Sequence, residues 1–158
     1  MTQLNKIHVE ASAEINAAPE RIYDIISDYH VGHQAILPKR YFNEMIVKEG
    51  GKGAGTVIAV KMNVMGVQRL FQLHITEPEP GRVLVETDPD SDVVTTFTID
   101  PLGNGRKSRV TIHTASKSSP GLRGFTERLL NPPITRRIYN EELALLANYA
   151  QSTASPQD

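Results

Sequence analysis

The chain has 158 residues, of which 39% are hydrophobic, and its 17 basic and 18 acidic residues leave a formal net charge of -1. This length and composition predict one domain with a core of ordinary size, and the charge balance argues against a nucleic-acid-binding protein, which normally carries a basic excess. The absence of cysteine excludes disulfides, thiolate nucleophiles and cysteine-based metal sites.

The N-terminal residues give no sign of a targeting or membrane segment. The first ten, MTQLNKIHVE, lack an apolar signal core. Elsewhere, no apolar run approaches the roughly 18 residues that are needed to cross a bilayer. We therefore expect a cytoplasmic protein without an integral membrane segment.

A strand followed directly by a helix begins the chain. In KIHVEASAEI, at residues 6–15, apolar and polar residues alternate, as they do in a half-buried strand. The next stretch, NAAPERIYDIISDY, predicts an amphipathic helix, because Pro19 suits a first helical turn and apolar residues then recur at helical spacing. A short second helix is predicted over residues 31–37, where Pro38 ends it.

Six further strands are predicted between the second helix and the C-terminal region. The segments between them, such as EGGKGAG, MG and PLGNGRK, are rich in Gly, Pro, Asn or Asp and are typical of turns and loops. Because connections this short join antiparallel neighbours, the six strands are expected to form a meander. The strands cover residues 42–48, 56–64, 67–76, 82–87, 93–100 and 107–115.

A long helical region closes the chain. Apolar residues recur at helical spacing over residues 122–150, but the stripe is interrupted where Pro132 and Pro133 remove two hydrogen-bond donors. We therefore predict a bend or break within a residue or two of Asn131, which can cap the restarted helix. Residues 1–151 are expected to form a single domain, followed by a disordered tail over residues 152–158.

Three local motifs stand out: AEINAAPERIYDIISDY at residues 13–29, GGKGAGT at residues 50–56 and EPEPGRVL at residues 77–84. They resemble those of the START-like, or Bet v 1-like (SRPBCC), superfamily, which includes the polyketide cyclase/dehydrase-like proteins. The resemblance implies an α+β helix-grip fold, in which a curved seven-stranded antiparallel sheet is wrapped around a long C-terminal helix, with one or two short helices between strands 1 and 2. It also implies a cavity between the sheet and the last helix, but these motifs specify the fold rather than the chemistry.

The implied cavity would be lined by the inward face of the sheet and by the last helix. Strand alternation selects that face: Arg69 shares it with apolar neighbours on the same strand, and Val83 and Val85 are expected to point inward. An apolar pocket with a few polar groups is the usual form of a small-molecule site. The predicted ligand-binding residues are Met62, Arg69, Phe71, Val85, Thr95, Phe97, Ile112, Thr114, Phe125, Leu129, Ile138 and Tyr139.

Arg69 is the unusual member of this face, and two interpretations of it stay open. It lies only a few residues from the predicted Met65-Gly66 turn, so its side chain can reach the rim and place the guanidinium in water or against a carboxylate. Alternatively, it meets the polar end of a mainly apolar ligand inside the cavity. We favour the rim, because buried arginines rarely go unpaired. Thr95 and Thr114 are expected to be structural residues, since threonine is common in strands.

His30 and His33 lie three residues apart, with Asp28 nearby, and this spacing raises the question of a metal site. A zinc site needs at least three protein ligands, whereas the other three histidines fall on outward strand positions. We therefore predict surface or helix-packing roles for the pair, with no metal and no cofactor. The stretch GKGAGT also lacks the Lys-Ser/Thr ending of a phosphate-binding loop.

Three function classes remain open at this point. We favour non-catalytic binding or carriage of a small hydrophobic or amphipathic molecule. The first alternative is an aromatase/cyclase-like or dehydratase-like enzyme, in which Tyr23, Tyr139 and Arg69 would supply proton transfer and enolate stabilisation. The second alternative is a protein-interaction module with a collapsed cavity. Several converging polar groups in the cavity would favour the enzyme, a purely apolar cavity the carrier, and a filled cavity the interaction module. The sequence does not indicate the oligomeric state.

Overall fold

The polypeptide folds into seven strands and three α-helices over the residues that the structure, a computed structural model, describes: 6–117 and 132–152. The helices are α1 (Pro19–Ser27), α2 (Gly32–Ile36) and α3 (Pro132–Ser152). The strands are β1 (Lys6–Ile15), β2 (Phe42–Glu49), β3 (Val57–Val64), β4 (Val67–Glu79), β5 (Val83–Asp88), β6 (Val93–Leu102) and β7 (Lys107–Lys117).

All seven strands belong to one antiparallel sheet in the order β1-β7-β6-β5-β4-β3-β2. Strands β2 to β7 form the predicted meander, and β1 pairs with β7. Since β1 and β2 are the two edges, the chain must cross the sheet between them, and α1 and α2 lie in that connection. The last helix, α3, packs against β1 and against both short helices. This is the helix-grip architecture that the sequence predicts.

The two short helices follow from their local sequences. Pro19 occupies the first turn of α1, where its missing N–H is not needed, and Glu20 lies at the positive end of the helix. In α2, Gly32 packs directly on the backbone of α1, because a β-carbon there would lie 2.5 Å from the carbonyl oxygen of Ile25. Only glycine permits this approach, which brings the neighbouring His33 beside α1.

Met65 and Gly66 connect β3 to β4 in a two-residue turn. Both residues adopt positive φ angles, 52° and 82°, as a type I′ turn requires. The turn sets the register of the hairpin, so that Met62 lies opposite Arg69. Directly opposed residues share a face of the sheet, and Arg69 therefore lies on the same face as the buried Met62.

The concave face of the sheet, the short helices and α3 enclose the hydrophobic core. Apolar side chains from alternate strand positions meet α3 there. This packing holds α3 over the sheet and defines the walls of the cavity between them. The largest fully buried side chains are Tyr29, Ile15, Ile22, Ile26, Ile36, Ile58, Leu84, Ile99, Ile112, Ile138, Leu143 and Leu146.

On β5, the residues that face the core are the reverse of those predicted. Ile75 of β4 is buried and pairs with Glu86, so Glu86 and Leu84 point to the concave face, whereas Val83 and Val85 point away from it. The prediction that Val85 lines the cavity is therefore wrong. The prediction rests on the alternation within β5 alone, whereas the register with β4 decides which face of β5 is buried.

Part of the predicted C-terminal region lies outside the described residues. This applies to Phe125, to Leu129, to the bend expected at Asn131 and to residues 153–158 of the predicted tail. The described helix begins at Pro132 and continues through Ser152. Within the described ranges, no helix combines the length and the apolar character that a membrane span requires.

Candidate functional site

A cavity of about 90 Å³ lies between the concave face of the sheet and α3, and it is partly open to solvent. Most of its wall is apolar. Its volume is below the roughly 300–1,000 Å³ of typical ligand pockets, so it has room for a small molecule or for one part of a larger one. The lining residues are His33, Leu37, Phe42, Met45, Ile58, Val60, Met62, Phe71, Leu73, Glu86, Val93, Thr95, Phe97, Thr114, Thr135, Ile138, Tyr139 and Glu142.

More than half of the residues predicted to bind a ligand lie in this wall. Ile112 is buried on the same face of the sheet but belongs to the packed core and not to the cavity lining. Arg69 and Val85 are also outside the lining. The predicted residues that the fold brings together around the cavity are Met62, Phe71, Thr95, Phe97, Thr114, Ile138 and Tyr139.

Arg69 lies beside the cavity, on the side of the β3–β4 turn. The residue is half-buried, and its guanidinium carbon lies 5.2 Å from the centre of the Phe71 ring, which is a cation–π arrangement. Phe71 itself lines the cavity. The position of Arg69 therefore agrees with the rim interpretation, and its guanidinium lies over one face of a cavity-lining ring.

A polar cluster reaches the cavity at Glu86. The phenol of Tyr29 donates a hydrogen bond of 2.7 Å to Oε1 of Glu86, and Nε2 of His33 lies 3.4 Å from the same oxygen. Glu86 and His33 are only 7% and 2% exposed. Burial, followed by the charge of Glu86, raises the pKa of Tyr29 well above its usual value, so the phenol remains a donor. These contacts hold a carboxyl group within a mainly apolar wall.

His33 is held by α1 and by the sheet. Its Nδ1 lies 2.7 Å from the carbonyl oxygen of Ile26 and therefore carries a hydrogen, which leaves Nε2 to face Glu86. The imidazole stacks on Tyr29 with 4.4 Å between ring centres, and it meets Phe97 edge-on at 5.7 Å. His33 thus has the predicted helix-packing role and, in addition, a place in the cavity wall that was not predicted.

His30 lies apart from His33 and does not face the cavity. Its side chain is exposed and packs against Gly51, where no room is left for a β-carbon. The two imidazoles therefore do not converge on one point. Over residues 6–117 and 132–152, no group of three or more His, Cys, Asp or Glu residues is arranged to hold a metal ion.

Glu142 enters the cavity wall from α3. It is 3% exposed, and its Oε1 has no hydrogen-bond partner among the described residues. Burial first, and the negative charge of Glu86 second, raise the pKa of Glu142 well above its usual value. Glu142 is therefore a carboxylic acid that keeps its proton at pH values where surface glutamates are ionised.

Three hydroxyl groups in the cavity wall link α3 to the sheet. The hydroxyl of Tyr139 is hydrogen-bonded to Thr114, whose Oγ1 lies 2.8 Å from Oγ1 of Thr95 on the adjacent strand. Burial raises the pKa of Tyr139 to about 12, although the hydrogen bonds with Thr114 and Thr95 act in the opposite direction. The three hydroxyls therefore stay protonated, and the two threonines have a polar contact in addition to their strand role.

Four polar cavity residues, His33, Glu86, Thr135 and Glu142, were not among those predicted. Glu142 carried the clearest signal, because it stands four residues from both Ile138 and Leu146 on the buried stripe of α3. Glu86 gave a similar signal, because it lies two residues after the buried Leu84 and therefore on the same face of β5. A charged residue at a buried position of a regular pattern indicates a paired or functional group.

Comparison with known families and structures adds a separate line of evidence. Residues 6–151 match the model of a family described as polyketide cyclase/dehydrase and lipid transport. No curated protein sequence gives a significant match.

Several solved structures share the fold over almost the whole chain. The NMR structure of the KanY protein is 29% identical, with a TM-score of 0.79, and the match covers 93% of this chain and 99% of that one. The Zhui aromatase/cyclase from Streptomyces sp. R1128 is 16% identical, with a TM-score of 0.75 and coverages of 96% and 98%. A START superfamily protein from Mycobacterium smegmatis is 17% identical, with a TM-score of 0.66 and coverages of 92% and 97%. These likenesses confirm the helix-grip fold, and the family match confirms the resemblance to the polyketide cyclase/dehydrase-like proteins.

Proposed function

The chain belongs to the polyketide cyclase/dehydrase and lipid transport family, and we propose that it binds a small, mainly apolar molecule in the cavity between the sheet and α3. The observation that carries this proposal is the cavity itself, an apolar wall interrupted by a few buried polar groups. Most protein interiors fill such a space with side chains. An accessible cavity therefore supports a bound small molecule and argues against the alternative of an interaction module with a collapsed cavity.

The wall divides into an apolar part and a polar part, and each suits a different part of a ligand. Ile58, Val60 and Phe71 offer apolar surface on the sheet side. Glu86 and Glu142 bring carboxyl groups to the same space. An amphipathic molecule would bury its hydrocarbon against the first group and direct a polar group toward the second. The net charge of -1 gives no support to a nucleic acid as partner.

Native mass spectrometry of protein purified from its own host, combined with a cavity-filling variant, tests this proposal. Val60→Phe adds volume to the sheet side of the cavity, where the residue is buried and lines the wall. We expect a small molecule to co-purify with the wild type and to be absent from the variant. A molecule bound equally to both proteins would show that the cavity is not its site.

Acid–base catalysis on the bound molecule is a second candidate function, as in a cyclase or dehydratase. The convergence of polar groups in the cavity is the observation that supports it. Two of the residues considered for this role from the sequence, Tyr23 and Arg69, are outside the cavity lining, and burial raises the pKa of Tyr23 to about 12. Tyr139 is in the lining, and Glu86 and Glu142 replace the other two as candidates.

The two carboxyl groups suit opposite parts of a proton transfer. Glu86 in its ionised form can accept a proton from a carbon next to a carbonyl group, and Glu142, which retains its proton, can give that proton to the carbonyl oxygen, so that an enol forms. The hydroxyl of Tyr139 can donate to the same oxygen. Loss of water or ring closure would follow from such an enol in a suitable substrate.

Deuterium exchange at the carbons next to the carbonyl of cyclohexanone, measured by NMR in D₂O, tests this second candidate. We expect exchange above the buffer rate in the wild type and a drop of about 100-fold or more in Glu86→Gln, since general acid–base catalysis contributes roughly 10²- to 10⁴-fold. Exchange at the buffer rate in the wild type would contradict acid–base catalysis, while the proposal of small-molecule binding would stand.

A further inference from the structure

The charged residues in the described wall of the cavity are acidic. Glu86 of β5 and Glu142 of α3 both line it, and its described wall contains no lysine or arginine. Among the described lining residues, His33 is the only one that can become a cation, and its Nε2 already faces Oε1 of Glu86 at 3.4 Å. The described lining therefore offers no separate positive group to an anionic ligand.

The carboxyl group of Glu142 is the least satisfied polar group of this wall. Its Oε1 lacks a hydrogen-bond partner within the described residues, and the residue is only 3% exposed. A buried acceptor without a donor destabilises the folded protein, and such groups are rare in native structures. A ligand that donates a hydrogen bond at this point would supply the missing partner.

Resting on the proposed binding function, we propose that the molecule in this cavity is an amine, whose N–H groups bond to Glu142 and whose positive charge is balanced by the carboxylates of Glu142 and Glu86. An ammonium group offers three donors and no acceptor, which matches a site with carboxyl acceptors. A carboxylate ligand would meet two acidic groups and is rejected. The charge of the amine is opposite to that of the anionic group that an arginine inside the cavity would bind.

Proton balance follows directly from this arrangement. If the amine enters as an ammonium ion, the carboxyl proton of Glu142 passes to the solvent, and the ion pair forms with one proton released. If the amine enters uncharged, the same proton passes from the carboxyl oxygen to the nitrogen, and none is released. At a pH well below the pKa of a simple alkylamine, the first route describes the overall reaction.

A matched series of small ligands tests the proposal by isothermal titration calorimetry. Benzylamine, benzyl alcohol and benzoate share a benzyl or phenyl body and differ in charge. We expect benzylamine to bind the wild type about tenfold or more tighter than benzyl alcohol, because a charge-assisted hydrogen bond is added, and we expect benzoate not to bind. At one pH, the observed heat of benzylamine binding should differ between buffers with different ionisation enthalpies, because the buffer takes up the proton that is released.

Isosteric variants show which residue causes the preference for benzylamine. Glu142→Gln should lose the preference for benzylamine over benzyl alcohol and the buffer dependence of the heat. Glu49→Gln, at an exposed position on β2, should retain both. Circular dichroism establishes that each variant is folded, and the wild-type series decides the question even if the Glu142 variant is not.

The outcomes separate this inference from the function on which it rests. If benzyl alcohol or benzoate bound as tightly as benzylamine, the proposal that the ligand is an amine would be overturned, while the proposal of small-molecule binding would stand. No binding by any of the three would contradict both. Benzylamine bound equally by the wild type and by a folded Glu142→Gln would also overturn the assignment, because the ligand would then lie elsewhere.

Discussion

The phenol of Tyr29 donates a 2.7 Å hydrogen bond to Oε1 of Glu86, and through it the segment after α1 is joined to the middle of the sheet. Both residues are buried. The bond satisfies a carboxyl group that would otherwise face only an apolar wall and His33. It is therefore central both to the stability of this region and to the shape of the cavity.

Tyr29→Phe should destabilise the protein by roughly 1.5–3 kcal/mol, the range for hydrogen bonds to charged groups. The loss arises because Glu86 stays buried without its donor. Urea denaturation followed by circular dichroism measures the change. Tyr41→Phe, at a half-buried position outside the cavity lining, is the matched control and should change the free energy of unfolding by less. Equal effects of the two substitutions would contradict this role of Tyr29.

Glu142→Gln should stabilise the protein more at pH 8 than at pH 5. The folded-state pKa of Glu142 is raised above its unfolded value, so the wild type loses stability as the pH rises from the unfolded pKa toward the folded one. Glutamine removes that loss, because it has no proton to give up. Urea denaturation of both proteins across this pH range measures the difference. A difference that is constant with pH would show that the pKa of Glu142 is not raised by folding.

Substitutions of the two histidines should have different effects on the free energy of unfolding. His33→Gln should lower the free energy of unfolding by about 1–3 kcal/mol, because it disturbs the contacts with Ile26 and Glu86 inside the core. His30→Gln should change it by less than about 0.5 kcal/mol, as is usual for an exposed position. Thermal or chemical denaturation compares them. Equally small changes at both positions would contradict a contribution of His33 to stability.

Arg69→Leu should alter stability by about 1 kcal/mol, between the values typical of exposed and of desolvated cation–π contacts, because Arg69 is half-buried. Because Arg69 lies outside the cavity lining, we expect the affinities for benzyl alcohol and benzylamine to change together or not at all. Calorimetric titration of both ligands into the variant measures this. A ligand-dependent change, with one affinity altered tenfold relative to the other, would place the guanidinium within reach of the ligand.

The elements of the fold were predictable because each has a strong local signal. The alternation in residues 6–15, Pro19 at the start of α1 and the Met65-Gly66 turn act through neighbouring residues only. The motifs of the superfamily then supplied the order in which the elements pack. For the same reason, the position of Arg69 on the concave face followed from the alternation of a single strand.

The polar part of the cavity was not predictable in this way, because it depends on relations between distant elements. The alternation in β5 allowed either Val85 or Glu86 to face inward, and only the pairing with Ile75 chooses between them. Burial of Glu86 is then made possible by Tyr29, which lies 57 positions earlier in the chain. Glu142 had a visible signal on the stripe of α3, but the cavity that it faces exists only in the folded protein.

Methyl NMR of protein labelled with ¹³C-methyl methionine tests the central claim, ligand binding in the cavity, most directly. The chain has four methionines; Met45 and Met62 line the cavity, whereas Met65 is 71% exposed at the β3–β4 turn. On titration with benzylamine, we predict saturable shifts of the Met45 and Met62 signals, no shift of Met65, and loss of the response in Val60→Phe. Unchanged Met45 and Met62 signals at saturating ligand, or equal shifts of all the methyl groups in both proteins, would contradict binding in this cavity.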